Sequence, residues 1–244
     1  MVTTVDGGQR AVRQSEFRPR AARGTTDVLL SWSGGKDSAT ALHMLRQDSS
    51  YEVDCLLTTV TEDYDRISIH GVRRSLLHRQ AEALDVDLCE VSIPAQCTHE
   101  TYQSSMVAAL TSPRLAGIDT HAFADLFLED VRAYREGNLA ELGKQAIFPV
   151  WGHDTEVLAR DFISLGFHAV VVCVDSRILD QKFAGREFDQ ALLEDLPTNV
   201  DPCGENGEFH TFVYDGPCFR FPIRFARGET VVRDGFAFRD LVED

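Results

Sequence analysis

Ser33-Gly34-Gly35-Lys36-Asp37-Ser38 decides how this chain is read, because it follows the apolar run Val28-Leu29-Leu30 and opens into the helical pattern Ala39 to Leu45. Two adjacent glycines let the backbone turn tightly and approach a ligand with no Cβ in the way, so successive N–H groups converge on anionic oxygens. The helix that follows, with Ala41, Leu42 and Leu45 as its expected buried face, aims the positive end of its dipole at the same point. Lys36 adds a full charge, Asp37 is a candidate magnesium ligand, and Ser33 and Ser38 offer hydroxyls to phosphate oxygens. The stretch predicts a phosphate cradle between a strand and a helix, built for a nucleotide triphosphate with magnesium.

Spacing narrows the kind of cradle. A Walker A loop needs four residues between its first glycine and the Gly-Lys pair, and a dinucleotide fingerprint needs G-x-G-x-x-G; neither frame exists here. The segment resembles the S-G-G-x-D-S loop of the N-type ATP pyrophosphatases. That resemblance implies cleavage of ATP between its α and β phosphates, with the AMP used to activate a substrate.

Around the loop, 244 residues with 43% hydrophobic content are enough for one large α/β domain or two modest ones. No apolar run approaches the roughly 20 residues that span a bilayer, and the first residues carry no apolar signal core. The expectation is a cytoplasmic protein without a membrane partner. Residues 1–26 place Arg10, Arg13, Arg18, Arg20 and Arg23 among Gly, Thr, Gln and Pro without a periodic apolar face, which reads as an unfolded tail or, second, a transit peptide. A net charge of -15 argues against broad nucleic-acid binding, which relies on clustered Lys and Arg. Cys55, Cys89, Cys97, Cys173, Cys203 and Cys218 include no C-x-x-C pair, so they read as reduced and structural rather than zinc-binding, redox-active or nucleophilic.

Along the chain, strands are expected at Val28–Trp32, Val53–Val60, Asp87–Ile93, Ala122–Leu128 and Ile147–Val150, alternating with helices at Ser38–Gln47, Val72–Leu84, Glu100–Leu110, Glu129–Leu142 and Asp154–Leu165. Such alternation implies an α/β fold with parallel strands, helices on both faces and ligands at the carboxyl ends of the strands. His168–Val174 reads as a strand buried on both faces. Phe209–Tyr214, Ile223–Phe225 and Thr230–Val232 then read as short antiparallel strands. The expected division is a nucleotide-binding domain at 27–128 and a substrate domain at 129–244.

A second constellation lies in Cys203-Gly204-Glu205-Asn206-Gly207-Glu208-Phe209-His210-Thr211. Asn and Gly tolerate the left-handed backbone that would set Glu205 and Glu208 on one side of a turn, where they orient an amine, bind ammonium or hold magnesium; a solvated surface turn is the plain alternative. The two segments together resemble the diphthine–ammonia ligase family, also called the diphthamide synthase ATP-binding domain family. Further matching stretches are His70-Gly71-Val72-Arg73, Gln80-Ala81-Glu82-Ala83-Leu84, Phe123-Ala124-Asp125, Pro149-Val150-Trp151 and Ala184-Gly185-Arg186, so the resemblance covers residues 27 to 216.

The resemblance implies a Rossmann-like, HUP-type parallel sheet flanked by helices, a smaller α+β C-terminal domain, and an active site between them. It assigns Ser33 to Ser38 to the ATP phosphates and magnesium, and Glu205 and Glu208 to the acceptor side. It implies that Lys36 and backbone donors stabilise charge as an acceptor carboxylate is adenylated, after which ammonia displaces AMP. His70 and Arg73 are candidate nucleotide contacts, with helix-start packing and a solvated Arg73–Arg74 pair as their alternatives. Asp125, at a presumed strand end, is a candidate for magnesium or the acceptor, and Trp151 reads as filling the domain junction. The chain departs from the common Gly-Glu-Gly-Gly-Glu-Tyr-Glu pattern at Asn206 and His210; the latter replaces an anion by a group neutral or cationic near pH 7. Two rival functions are a transfer-RNA modifying enzyme and a noncatalytic ATP sensor. A homo-oligomer is compatible with the sequence.

Overall fold

A computed structural model describes residues 24–244. The tail expected over residues 1–26 lies outside the described residues, apart from 24–26, which lead into the first strand. The elements run β1 (Thr26–Ser31), α1 (Lys36–Gln47), β2 (Tyr51–Thr61), β3 (Arg66–Ile67), α2 (Arg74–Leu84), β4 (Asp87–Ile93), α3 (His99–Leu110), β5 (Thr120–Ala122), α4 (Glu129–Glu141), β6 (Gln145–Ile147), α5 (Thr155–Ser164), β7 (His168–Asp175), α6 (Gln190–Asp195), β8 (Phe209–Asp215), β9 (Phe225–Arg233) and β10 (Phe236–Glu243).

The fold is α/β. Five strands pair in parallel in the order β4-β2-β1-β5-β6, and β3 adds two antiparallel residues at the end of β2. The chain moves outward from β1 in one direction through β2 and β4, then in the other through β5 and β6. The crevice between β1 and β5 is thus the switch point where such sheets bind ligands. Side-chain alternation divides the two faces. Val28, Leu30 and Leu56 pack with α1 and α2, while Leu29, Cys55 and Leu57 pack with Leu110 of α3 and Leu139 of α4.

The second sheet is antiparallel in the order β8-β7-β10-β9. Its apolar residues join the α1/α2 side of the first sheet in one continuous core, with Val170, Phe209 and Phe212 in the same cluster as Leu42 and Leu77. Gly71 sits at this seam with φ +71°, and a Cβ there would lie 2.8 Å from the Phe238 ring of β10.

Several elements differ from expectation for visible reasons. β5 stops at Ala122 rather than running to Leu128, because the Leu126 N–H turns away to Glu205 instead of a neighbouring strand. β6 spans Gln145–Ile147 and ends before Pro149, which has no N–H to give a ladder. Because β6 pairs with β5, the parallel sheet extends beyond the division expected at residue 128. The two short strands expected near 223–232 are one strand, β9, returning as β10 through Asp234-Gly235, with φ +53° and +84° at the turn.

Candidate active site

The phosphate loop leaves the carboxyl end of β1 and enters α1 with Gly35 as N-cap, and no side chain of the loop caps the helix. Gly34 has φ +80°, and a Cβ there would sit 2.7 Å from Gln80 Oε1, so the turn and the close approach both require glycine. Ser33 Oγ lies 3.2 Å from Ser38 Oγ, and Ser38 Oγ donates to the Gly35 carbonyl at 2.9 Å.

What holds the loop comes from far away in sequence. The Lys36 N–H, an orphan donor at the start of α1, donates to Thr211 Oγ1 of β8 at 3.0 Å. The Val213 N–H donates to the Gly34 carbonyl at 2.9 Å. Gln80, fully buried on α2, donates through Nε2 to Gly34 O at 2.9 Å and Val213 O at 2.7 Å, and accepts from Trp32 Nε1 at 2.9 Å. The second sheet therefore supplies the cap, and α2 together with the second sheet supplies the clamp, of a loop carried by the first.

Lys36 is buried, and its Nζ donates to both Asp37 oxygens at 2.9 and 2.8 Å and to the Cys203 carbonyl. Burial alone would disfavour its charge. The carboxylate of Asp37, with Cys203 and Glu205 behind it, outweighs burial and holds the ammonium above the ordinary lysine value. These contacts bring the two sequence constellations into one site.

The acidic loop is folded largely on itself. Left-handed backbone falls at Gly204 (φ +68°) and Gly207 (φ +86°) and not at Asn206, whose side chain instead donates to Glu208 Oε1 at 3.0 Å. Glu208 also accepts from the Asp201 N–H at 3.1 Å and the Asn206 N–H at 3.0 Å, and is 2% exposed. Its carboxylate faces its own loop rather than an acceptor side shared with Glu205. Glu205 reaches outward: Oε1 accepts from the Leu126 N–H at 2.8 Å. Burial pushes its carboxyl up to about 7, with Asp37 and Asp125 adding to the rise against the Leu126 N–H and Lys36.

The remaining candidates divide. His70 does reach the loop: its ring packs 4.5 Å from that of His210, and a Cβ on Gly35 would lie 3.2 Å from its Cε1. Burial keeps both rings neutral, His70 well below the ordinary histidine value and His210 at about 4. Arg73 turns away, donating to both oxygens of Asp240 on β10 at 3.0 and 2.7 Å, and so ties the start of α2 to the second sheet. Asp125 gives both oxygens to Arg135, at 2.6 and 3.0 Å, as Asp37 gives both of its own to Lys36. Trp151 packs against Phe148 and under Arg132 of α4, on the side of the first sheet covered by that helix. Among the described residues no three His, Cys, Asp or Glu side chains converge on a cation position.

Sequence reasoning overlooked His121. It sits on β5 at 1% exposure, with Nε2 3.1 Å from Ser31 Oγ and Nδ1 without a partner. The ring lines a cavity of about 370 Å³ between α3 and α4, together with Tyr102, Met106, Leu110, Phe123 and Arg135. Burial, then Arg135 and Lys144, pushes its pKa down to about 3, so it is a neutral hydrogen-bonding group. His121 lies just before the strand expected at Ala122–Leu128, so nothing in the sequence pattern marked it as buried. Among the described residues no helix is long and apolar enough to cross a membrane.

Comparison with known proteins divides the chain into two matched segments. Residues 26–144 match the family model of the diphthamide synthase N-terminal domain, and residues 154–240 match that of the diphthamide synthase C-terminal domain. A diphthine–ammonia ligase of Schizosaccharomyces pombe is 26% identical over 221 residues, covering 82% of this chain and 36% of that protein. Those of Homo sapiens and Danio rerio are each 32% identical over 117 residues, covering 46% of this chain and 44% and 46% of the relatives. The chain thus spans less than half the length of these relatives. With both domain models matched in order along one polypeptide, the chain belongs to the diphthamide synthase family.

Proposed function

We propose that the chain is an ATP-dependent ligase that adenylates an acceptor carboxylate and forms an amide with ammonia. The observation that carries this reading is Lys36, which joins the phosphate loop to the acidic loop through the Cys203 carbonyl, 167 residues away in sequence. A cationic, buried lysine between a phosphate-binding turn and an outward-facing carboxylate suits a reaction in which charge builds on phosphate oxygens beside a second substrate. The relatives named diphthine–ammonia ligase support the reaction class.

In this reading an acceptor oxygen attacks the α-phosphorus of ATP, the bond to the bridging oxygen breaks and pyrophosphate leaves. Ammonia then attacks the acyl carbon and AMP leaves. Lys36 and the N–H groups at the start of α1 stabilise the phosphate charge, and Ser33 and Ser38 orient its oxygens. Glu205, with a carboxyl that exchanges near neutral pH, takes the proton released from nitrogen. Glu208 is a positioning residue that keeps the acidic loop in shape. Magnesium would neutralise charge on the transferred phosphates. Asp37 would hold it as the single protein carboxylate alongside phosphate oxygens, which is how magnesium is commonly held, giving up part of its present contact with Lys36 to do so. The cavity between α3 and α4 is the candidate acceptor pocket, because Phe123 in its wall and Leu126 at Glu205 belong to one short segment.

The test is product analysis by ion-pair chromatography with magnesium-ATP, ammonium and an acceptor-containing extract. AMP and pyrophosphate are expected, reduced on the order of 10²-fold or more in Lys36→Ala, and about 10²-fold in Glu205→Gln. ADP as product, or ATP binding without turnover, overturns the reading in favour of a sensor. Loss of turnover when the extract is treated with ribonuclease transfers it to RNA modification.

A further inference from the structure

We propose that Cys89 is a peroxide-sensitive thiolate, held by Arg114 and backed by Cys55, on the face of the parallel sheet that packs against α3. The site is separate from the phosphate loop and does not depend on the function proposed above. Cys89 lies on β4, the edge strand of the sheet, and is half-buried, while Cys55 on the adjoining β2 is fully buried. Arg114, in the loop after α3, donates through Nε to Cys89 Sγ at 2.9 Å and through Nη2 to Asp87 at 2.8 Å, and its Nη2 is 3.9 Å from Cys55 Sγ. A guanidinium N–H aimed at a half-buried sulfur is an arrangement that favours the anion over the thiol. The neighbouring Cys55 and the Arg114 guanidinium together outweigh burial and the Asp87 carboxylate and bring Cys89 down to about 6. Burial pushes Cys173 and Cys203 up to about 12 and also raises Cys218, so these thiols stay protonated.

The chemistry follows from the thiolate. Cys89 sulfur attacks one oxygen of hydrogen peroxide, an S–O bond forms, the O–O bond breaks, and hydroxide leaves to be protonated by solvent. Sulfur is oxidised by two electrons to a sulfenic acid and the peroxide is reduced. Sheet register then decides what happens next. Cys55 pairs with Asp87 and Leu57 with Cys89, so the cysteines are offset by two residues on neighbouring strands. That offset is about 6.6 Å along the strands and about 4.8 Å across them, giving Cα atoms about 8 Å apart. A disulfide needs less than about 7 Å, so Cys55 shields and acidifies Cys89 but does not resolve it. The product persists as a sulfenic acid until an external thiol caps it as a mixed disulfide.

The full chain is treated with hydrogen peroxide in the presence of dimedone, and the adducts are located by peptide mass spectrometry across pH 5 to 9. One dominant adduct at Cys89 is expected, with its rate half-maximal near pH 6. In Arg114→Met that midpoint moves toward pH 8 and labelling at pH 7 slows several-fold, with far-ultraviolet circular dichroism unchanged. Adducts spread over all six cysteines, an adduct concentrated on half-buried Cys97, an unmoved midpoint in Arg114→Met, or a Cys55–Cys89 disulfide as the main product would each overturn the proposal. The wild-type chain alone suffices for three of these outcomes, so misfolding of the variant leaves the proposal exposed to test.

Discussion

The phosphate loop and the acidic loop are both glycine-bearing turns that carry charge, yet they are held in opposite ways. Residues 33–38 are braced from outside, by Gln80 of α2, Thr211 and Val213 of β8, and the Cys203 carbonyl. Residues 201–208 are braced from inside, by Asp201, Asn206 and Glu208 turned onto their own backbone. An externally braced loop keeps its N–H groups and its lysine aimed into a site whose walls come from both sheets. An internally braced loop spends most of its polar groups on its own shape and leaves one, Glu205, for work elsewhere.

The external brace is the more consequential to remove. Gln80→Leu leaves Trp32 Nε1 without its acceptor in a buried position and removes the donor that Gln80 gives to the carbonyls of Gly34 and Val213, leaving Gly34 with the Val213 N–H alone. At ~1 kcal/mol or more for each, the expected loss is about 3 to 4 kcal/mol by chemical denaturation, accompanied by weaker ATP binding. A loss below about 1 kcal/mol would show that water replaces the clamp and that the loop stands unaided. Glu208→Gln attacks the internal brace. It should cost about 2 to 3 kcal/mol, with faster hydrogen exchange confined to residues 200–211 and ATP affinity unchanged. Equal loss of ATP affinity in the two variants would erase the distinction between the loops.

Much of this architecture is legible in the sequence. Ser33 to Ser38 and the alternation of Val28-Leu29-Leu30 with the helical pattern beyond it specify a strand, a tight turn and a helix through local physics alone. The site was less so, because spacing reports which residues share a loop and not which way their side chains point. Glu205 and Glu208 look alike in sequence; the N–H groups of Asp201 and Asn206 single out Glu208 as internal. Arg73 and Asp125 read as ligand-facing because Asp240 and Arg135, their partners, are remote or unremarkable in sequence. The β9–β10 hairpin had its signal in Asp234-Gly235, but exposed Val231 and Val232 disguised its outer strand as two fragments.

Glu205 itself offers a smaller and pH-dependent effect. Its carboxyl sits at about 7 in the folded chain, against an ordinary value of 4.5. Between those values the folded state holds a proton that the unfolded state has lost, so stability falls as pH rises across that window. Glu205→Gln keeps an oxygen for the Leu126 N–H and removes the buried charge. Its stability relative to the wild type should be near zero at pH 4.5 and rise by about 1 to 2 kcal/mol at pH 8. Thermal unfolding across pH measures this. A difference that is flat with pH would mean Glu205 is ionised throughout, and its proposed exchange of protons with ammonium would lose its basis.

Thr211 gives the smallest effect and the sharpest one for the comparison. Helix caps normally come from the residue preceding the first turn, and α1 has glycine there; its orphan Lys36 N–H is met by a hydroxyl 175 residues away. Thr211→Val preserves the β-branched shape that strand β8 favours and removes only that acceptor. The expected cost is about 1 kcal/mol of stability, as for loss of a local cap. The more telling readout is ATP affinity, because an uncapped N–H at the start of α1 is free to bind phosphate directly. If affinity holds or rises while stability falls, the second sheet acts as a placeholder that occupies the phosphate-binding donor until nucleotide arrives. If affinity falls with stability, Thr211 fixes the loop in its binding shape, and the external brace is part of the site rather than a support beneath it.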